Sequence, residues 1–156
     1  GGVLGVLSGW IFALLVATLM RPVGGWAADR LGGGRITAVA TATMAIGGLT
    51  LSAFLKPTDF PWFFGVVLLI CAASGLGNGS VFKIIPTVNR QEAGPMMGIV
   101  SCLGAFGGFF PPLLLGTCIA RLGSPAWAYG AMAMFASICF GVNWLFYWRR
   151  QSSSRC

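Results

Sequence analysis

Apolar positions in this chain neither alternate nor recur at helical spacing. They run on continuously, and short polar breaks interrupt them at 29–35, 56–59, 89–95 and 121–125. The pattern predicts five helices at about 5–28, 36–55, 62–88, 96–120 and 126–148, each of about 20 residues or more and so long enough to cross a hydrocarbon core of about 30 Å. Every break carries glycine or proline, as in Gly32-Gly33-Gly34, Lys56-Pro57-Thr58-Asp59, Gly94-Pro95 and Gly123-Ser124-Pro125. The third run opens on Phe60, Trp62, Phe63 and Phe64, and after the fifth Arg149-Arg150-Gln151 leads into a serine-rich tail. The expected fold class is an all-α integral membrane protein with five transmembrane helices.

Composition strengthens that reading and excludes others. Hydrophobic residues make up 56% and charged residues 8%, against about 25% charged in soluble domains. The net charge is +7, from ten Lys and Arg against three acids. No basic cluster sits on a polar helix, so the excess points to membrane topology and not to a nucleic-acid partner. Arg30, Arg35, Arg90, Arg149, Arg150 and Arg155 gather on one side, with Lys56 and Arg121 on the other. The positive-inside rule then makes the C-terminus cytoplasmic and the N-terminus external, in an inner (plasma) membrane. The chain starts Gly-Gly-Val-Leu, without Met or a signal-peptide pattern, and reads as a piece of a longer protein. The five cysteines, Cys71, Cys102, Cys118, Cys139 and Cys156, form no CxxC pair, and there is no histidine. No nucleophile–base pair, metal-ligand cluster or phosphate loop is visible, so no enzyme, metal or cofactor is expected.

Arg21 is the residue that demands an explanation. It lies ten residues before Leu31, about 15 Å of helix, which puts it near the bilayer midplane. A charge there costs several kcal/mol on the lenient scales and persists only where it faces protein, water or ligand. No acid or histidine falls inside a predicted span. The guanidinium is a fixed cation whose planar fork matches a flat oxyanion. One reading is a midplane anion site; the other is an arginine that snorkels or pairs with an acid elsewhere in the protein. Pro22, next to it, frees the carbonyl of Thr18, and the Thr18 hydroxyl is available to the local backbone.

The fourth run is unusual in another way. Wound at about 100° per residue, Gly98, Ser101, Ala105, Gly108 and Pro112 share a narrow arc that Gly104, Gly107 and Pro111 widen. Ile99, Leu103, Phe106, Phe109, Phe110 and Leu113 lie opposite. A face so bare admits another helix, or a small solute passing along the backbone. In the third run Ser74 to Lys83 is polar and glycine-rich, and Asn78 offers a donor and an acceptor. Lys83 is expected to snorkel toward the cytoplasmic end.

These residues carry a resemblance. Gly25 to Arg35, with Asp29 and Arg30, resembles the G-x-x-x-D-R-x-G-x-x-R loop of the major facilitator superfamily. Arg21-Pro22, Gly75–Lys83 (GLGNGSVFK) and Gly98–Phe109 with Pro111-Pro112 resemble the nitrate/nitrite porters of the NarK type, the last being similar to their second nitrate signature. The resemblance covers the whole chain as helices eight to twelve of a twelve-helix fold. It implies nitrate or nitrite as substrate, alternating access, and the seven preceding helices of the same chain as partner. Nitrate/nitrite exchange or uptake would follow; another small anion such as a carboxylate is the alternative. By the same resemblance Arg21 is one of two anion-binding arginines, Ser101 lies near the substrate with Gly98, Gly104, Gly107, Gly108 and Asn78, and Gly25, Asp29, Arg30 and Arg35 form a conformational loop. Lys83 differs from some members, which carry a neutral amide there.

Overall fold

The computed structural model describes residues 2–54, 60–88 and 90–148. The expected loop at 56–59, Asn89 and the tail from Arg149 lie outside the described residues. Helix α1 spans Gly2–Leu31, α2 Gly33–Phe54, α3 Phe60–Val88, α4 Ala93–Gly107, α5 Phe110–Leu122 and α6 Ala126–Asn143, with a π-helical turn at Trp144–Trp148. No strand occurs among the described residues. Among the described residues five stretches are long and apolar enough to cross a membrane: Ser8–Leu31, Gly33–Phe54, Phe60–Pro86, Ala93–Leu122 and Ala126–Phe146.

Three of the breaks are shorter than the sequence pattern implies. The polar turn expected at 29–35 shrinks to one residue, since Asp29 and Arg30 are the last charged residues of α1 and Arg35 is already in α2. Gly32 alone turns the chain, at φ 92°, a conformation open to glycine and costly for residues with a Cβ. Arg121 and Leu122 likewise extend α5, and Gly123 caps it at φ 67°. The loop before α4 also yields residues to the helix, which begins at Ala93.

The fourth span is the opposite case, a run expected to be one helix and found as two. Pro111 and Pro112 have no N–H, so the carbonyls one turn before them gain no helical partner. The backbone tightens there: Gly108 N–H donates to Gly104 O at 3.1 Å and Phe109 N–H to Phe106 O at 3.1 Å. Helix α5 then restarts with proline in its first turn, where the missing donor is tolerated. The small-residue arc from Gly98 to Pro112 is therefore continuous only as far as Gly107.

Helix α1 packs on α3, α2 lies against both α3 and α6, and α4 and α5 bury no residue of their own. Alanine dominates the buried set, with Ala13, Ala38, Ala40, Ala73, Ala128 and Ala133 each at most 4% exposed. Lipid is as apolar as leucine, so close van der Waals packing of small residues is what joins these helices. The α1–α3 crossing is the tightest: a Cβ at Gly24 would overlap the Leu76 carbonyl, one at Gly75 the Ala17 carbonyl, and one at Gly79 the Arg21 carbonyl. Polar ties fasten the rest. The Thr37 and Ser80 hydroxyls meet at 2.7 Å across α2 and α3, and Asn143 Nδ2 donates to Gly34 O at 2.8 Å across α6 and α2. Most other hydroxyls bond back one turn, and Thr18 donates to Leu14 O at 2.9 Å. Thr18 thus behaves like Thr41, Thr43 and Thr50, which do the same, and its hydroxyl is not reserved for the proline site.

Candidate functional site

On α1 the residues Arg21, Gly25 and Asp29 stand four apart and share one face, over about 12 Å of rise. On α3 Gly79 and Lys83 do the same. Because neither Gly25 nor Gly79 has a side chain, the two backbones close on each other and leave an open groove beside the crossing. Arg21, Pro22, Gly25, Trp26 and Asp29 line it from α1, Gly79, Phe82, Lys83 and Pro86 from α3, and Met97 from α4.

Charge is ordered along this groove. The Lys83 stem passes a carbon 3.7 Å from where a Gly25 Cβ would stand. Its Nζ reaches Asp29 Oδ2 at 2.8 Å, with the two side chains 51% and 55% exposed. One expectation gains a partner and another is corrected. Lys83, expected to snorkel toward the cytoplasmic end, reaches a carboxylate on the neighbouring helix. Asp29, expected in a loop, is a helical residue within the first span. It does not serve Arg21, however. Arg21 is exposed on the groove wall and makes no ion pair among the described residues. Arg30 stacks on the groove's own Trp26, its Cζ 4.2 Å above the ring, a geometry that favours arginine over lysine.

The structure therefore brings together Arg21, Gly25 and Asp29 and separates the rest. Asn78 is half-buried on α3 beside Gly79, and Arg35 is exposed at the start of α2. Ser101 is exposed and donates back to Met97 O at 2.7 Å. Gly98, Gly104 and Gly107 face open space, and Gly108 meets only the carbonyls of Ala105 and Gly104 in its own turn. Met97, and not its neighbour Gly98, is the α4 residue on the groove. Trp26 and Phe82 are lining residues that residue type alone did not single out, and Lys83 and Gly79, noted in the third run, were not placed at the site. One signal was available for Lys83: it and Asp29 both fall near the same predicted membrane side, where two opposite charges at like depth have reason to meet.

Such an arrangement can receive an anion. The groove offers a planar cation with no ion pair among the described residues, apolar walls from Pro22, Phe82, Pro86 and Met97, and a second cation already matched by a carboxylate. Fold and groove together define a multi-pass helical membrane protein with a cationic cleft at its first and third spans. The chain is similar to the "Nitrite extrusion protein" of Bacillus subtilis (strain 168), with 37% identity over 138 residues, 88% of this chain and 34% of that protein. It is also similar to the "Probable nitrate transporter NarT" of Staphylococcus aureus (strain Newman), with 38% identity over 136 residues, 86% of this chain and 33% of that protein. The chain thus spans about a third of the length of the curated relatives it matches. No family model matches. These similarities bear out the resemblance to nitrate/nitrite porters that the motifs carried, and the relatives are named as transporters, not enzymes.

Proposed function

We propose that this chain is the C-terminal part of a nitrate/nitrite transporter and supplies half of its anion site. The observation that carries the reading is the Arg21 guanidinium, unpaired among the described residues on the wall of an apolar-sided groove and expected from its distance to Leu31 near the bilayer midplane, in a chain whose relatives are named for nitrate and nitrite. A charge at that depth needs a partner, and a flat oxyanion matches the fork bidentately. The remaining half of the site comes from seven preceding helices of the same chain.

In the mechanism, nitrate or nitrite enters from one side and docks on Arg21, which binds without any proton transfer, since arginine stays charged at working pH. The two halves then rock about the site by alternating access, in uptake or in nitrate/nitrite exchange. The bare face of α4, with Gly98, Ser101, Gly104 and Gly107, is the surface along which the other half slides, and Asn78 contributes a polar group from α3. Gly25, Asp29, Arg30 and Arg35 control the cytoplasmic end, which carries the C-terminus in the inner (plasma) membrane. Arg21→Lys in the full-length protein tests the site. A point charge does not reproduce the fork, so nitrate uptake into vesicles falls by at least about tenfold, the equivalent of about 1.4 kcal/mol. Wild-type uptake by that variant refutes the assignment.

A further inference from the structure

We propose that Lys83 is a second cation for the anion, one that lets go of Asp29 and turns toward Arg21 when an oxyanion binds. The inference rests on the reading of Arg21 as an anion site and adds a contacting residue to that site. Its basis is the register of two helices. A Cβ at Gly75 would meet the Ala17 carbonyl and one at Gly79 the Arg21 carbonyl, so α1 and α3 run in the same direction, turn beside turn. The next turn sets Lys83 level with Gly25. The Lys83 stem does lie there, its Cε 3.7 Å and its Cγ 3.9 Å from the place of a Gly25 Cβ. Lys83 thus stands midway between Arg21, one turn before Gly25, and Asp29, one turn after it. Each is about 6 Å away in rise, within the sweep of a flexible four-carbon stem.

In the structure the ammonium takes the Asp29 direction, with Nζ 2.8 Å from Oδ2. Little holds it there. Both side chains are about half exposed, and exposed pairs add little to stability. The pair is not needed as a clasp, because α1 and α3 already meet backbone to backbone at Gly24, Gly75 and Gly79. A released Asp29, half exposed as it is, is taken up by water. The opposite swing follows the helix. Each Cα–Cβ bond tilts toward the N-terminal end, which for Lys83 is the side of Gly79 and Arg21, and neither Gly25 nor Gly79 has a side chain to obstruct it. Arg30 cannot take this part. It lies nine residues from Arg21, about 13.5 Å of rise, and its Cζ sits 4.2 Å above the Trp26 ring. The contact is independent of the cations that the rest of the full-length protein supplies, since Lys83 acts from the same two helices that carry Arg21.

The test is nitrate binding to the detergent-solubilised full-length protein by calorimetry, joined to acetic anhydride labelling of the Lys83 amine, read by peptide mass spectrometry. Lys83→Gln keeps most of the stem and loses the cation, and it weakens nitrate by on the order of tenfold, the worth of one charge-assisted hydrogen bond. Asp29→Asn, where no pair has to open, tightens nitrate by about threefold. In that variant nitrate slows acetylation of Lys83 and an equal concentration of chloride does not, which separates contact from attraction across a distance. Unchanged nitrate affinity in Lys83→Gln, unchanged or weaker affinity in Asp29→Asn, or acetylation indifferent to nitrate each overturns the proposal. Failure of the underlying anion-site reading looks different: Arg21→Gln then binds nitrate as the wild type does.

Discussion

Two glycine-rich regions of this chain have the same kind of sequence and opposite surroundings. At the α1–α3 crossing, Gly24, Gly75 and Gly79 each press on a carbonyl of the facing helix. Along α4, a Cβ at Gly98, Gly104 or Gly107 would meet no atom of the described residues outside its own helix turn within 4 Å, and no residue of α4 or α5 is buried. A bare face is a means of close approach, and what approaches is not written in the face itself. In the first region the partner is within the chain, and the contact shapes a groove. In the second the face is exposed, and a helix that gives up about 1 kcal/mol per glycine relative to alanine gains no packing from these residues in return.

Substitutions sharpen that contrast. The largest effect on folding belongs to Gly79→Leu, whose Cβ collides with the Arg21 carbonyl. Backbone has to move, so the loss is about 3 kcal/mol or more, read as failure to recover monodisperse protein from detergent. Asn143→Ala comes next. It removes the buried donor to Gly34 O and costs about 1–3 kcal/mol, seen as a lowered unfolding midpoint. Smaller still is Lys83→Ala, which takes about 0–1 kcal/mol from stability because its ion pair is half exposed; a large drop in midpoint would make the pair a clasp after all. At the bottom stands Gly104→Leu, with open space around it. It leaves the unfolding midpoint of this region within about 0.5 kcal/mol yet abolishes nitrate uptake by the full-length protein. Should Gly104→Leu transport normally, the α4 face is not a sliding surface and the comparison between the two regions collapses.

The sites divide along the same line. Arg21 was legible because a fixed charge amid apolar residues is costly wherever the chain goes. Gly25 and Asp29 were legible as a pattern, and their joining of Arg21 on one wall follows from a spacing of four in a helix that runs through to Leu31. The partner of Lys83 was not legible because it lies 54 residues away on another helix. Ser101 and the α4 glycines share no wall with Arg21, and the arc that gathered them assumed one unbroken helix where Pro111 and Pro112 impose a break.

Sequence alone determined that five stretches are long and apolar enough to cross a membrane, and that Arg21 interrupts the first of them ten residues before Leu31. Those conclusions rest on transfer free energies and on helix length, which depend on residue type and count and hardly at all on neighbours. Tertiary structure decided which glycines are contacts and which are open, where the fourth span breaks in space, and which carboxylate answers which cation. Pairings of that kind depend on ångström distances between helices, fixed only once Gly24, Gly75 and Gly79 have let two backbones meet.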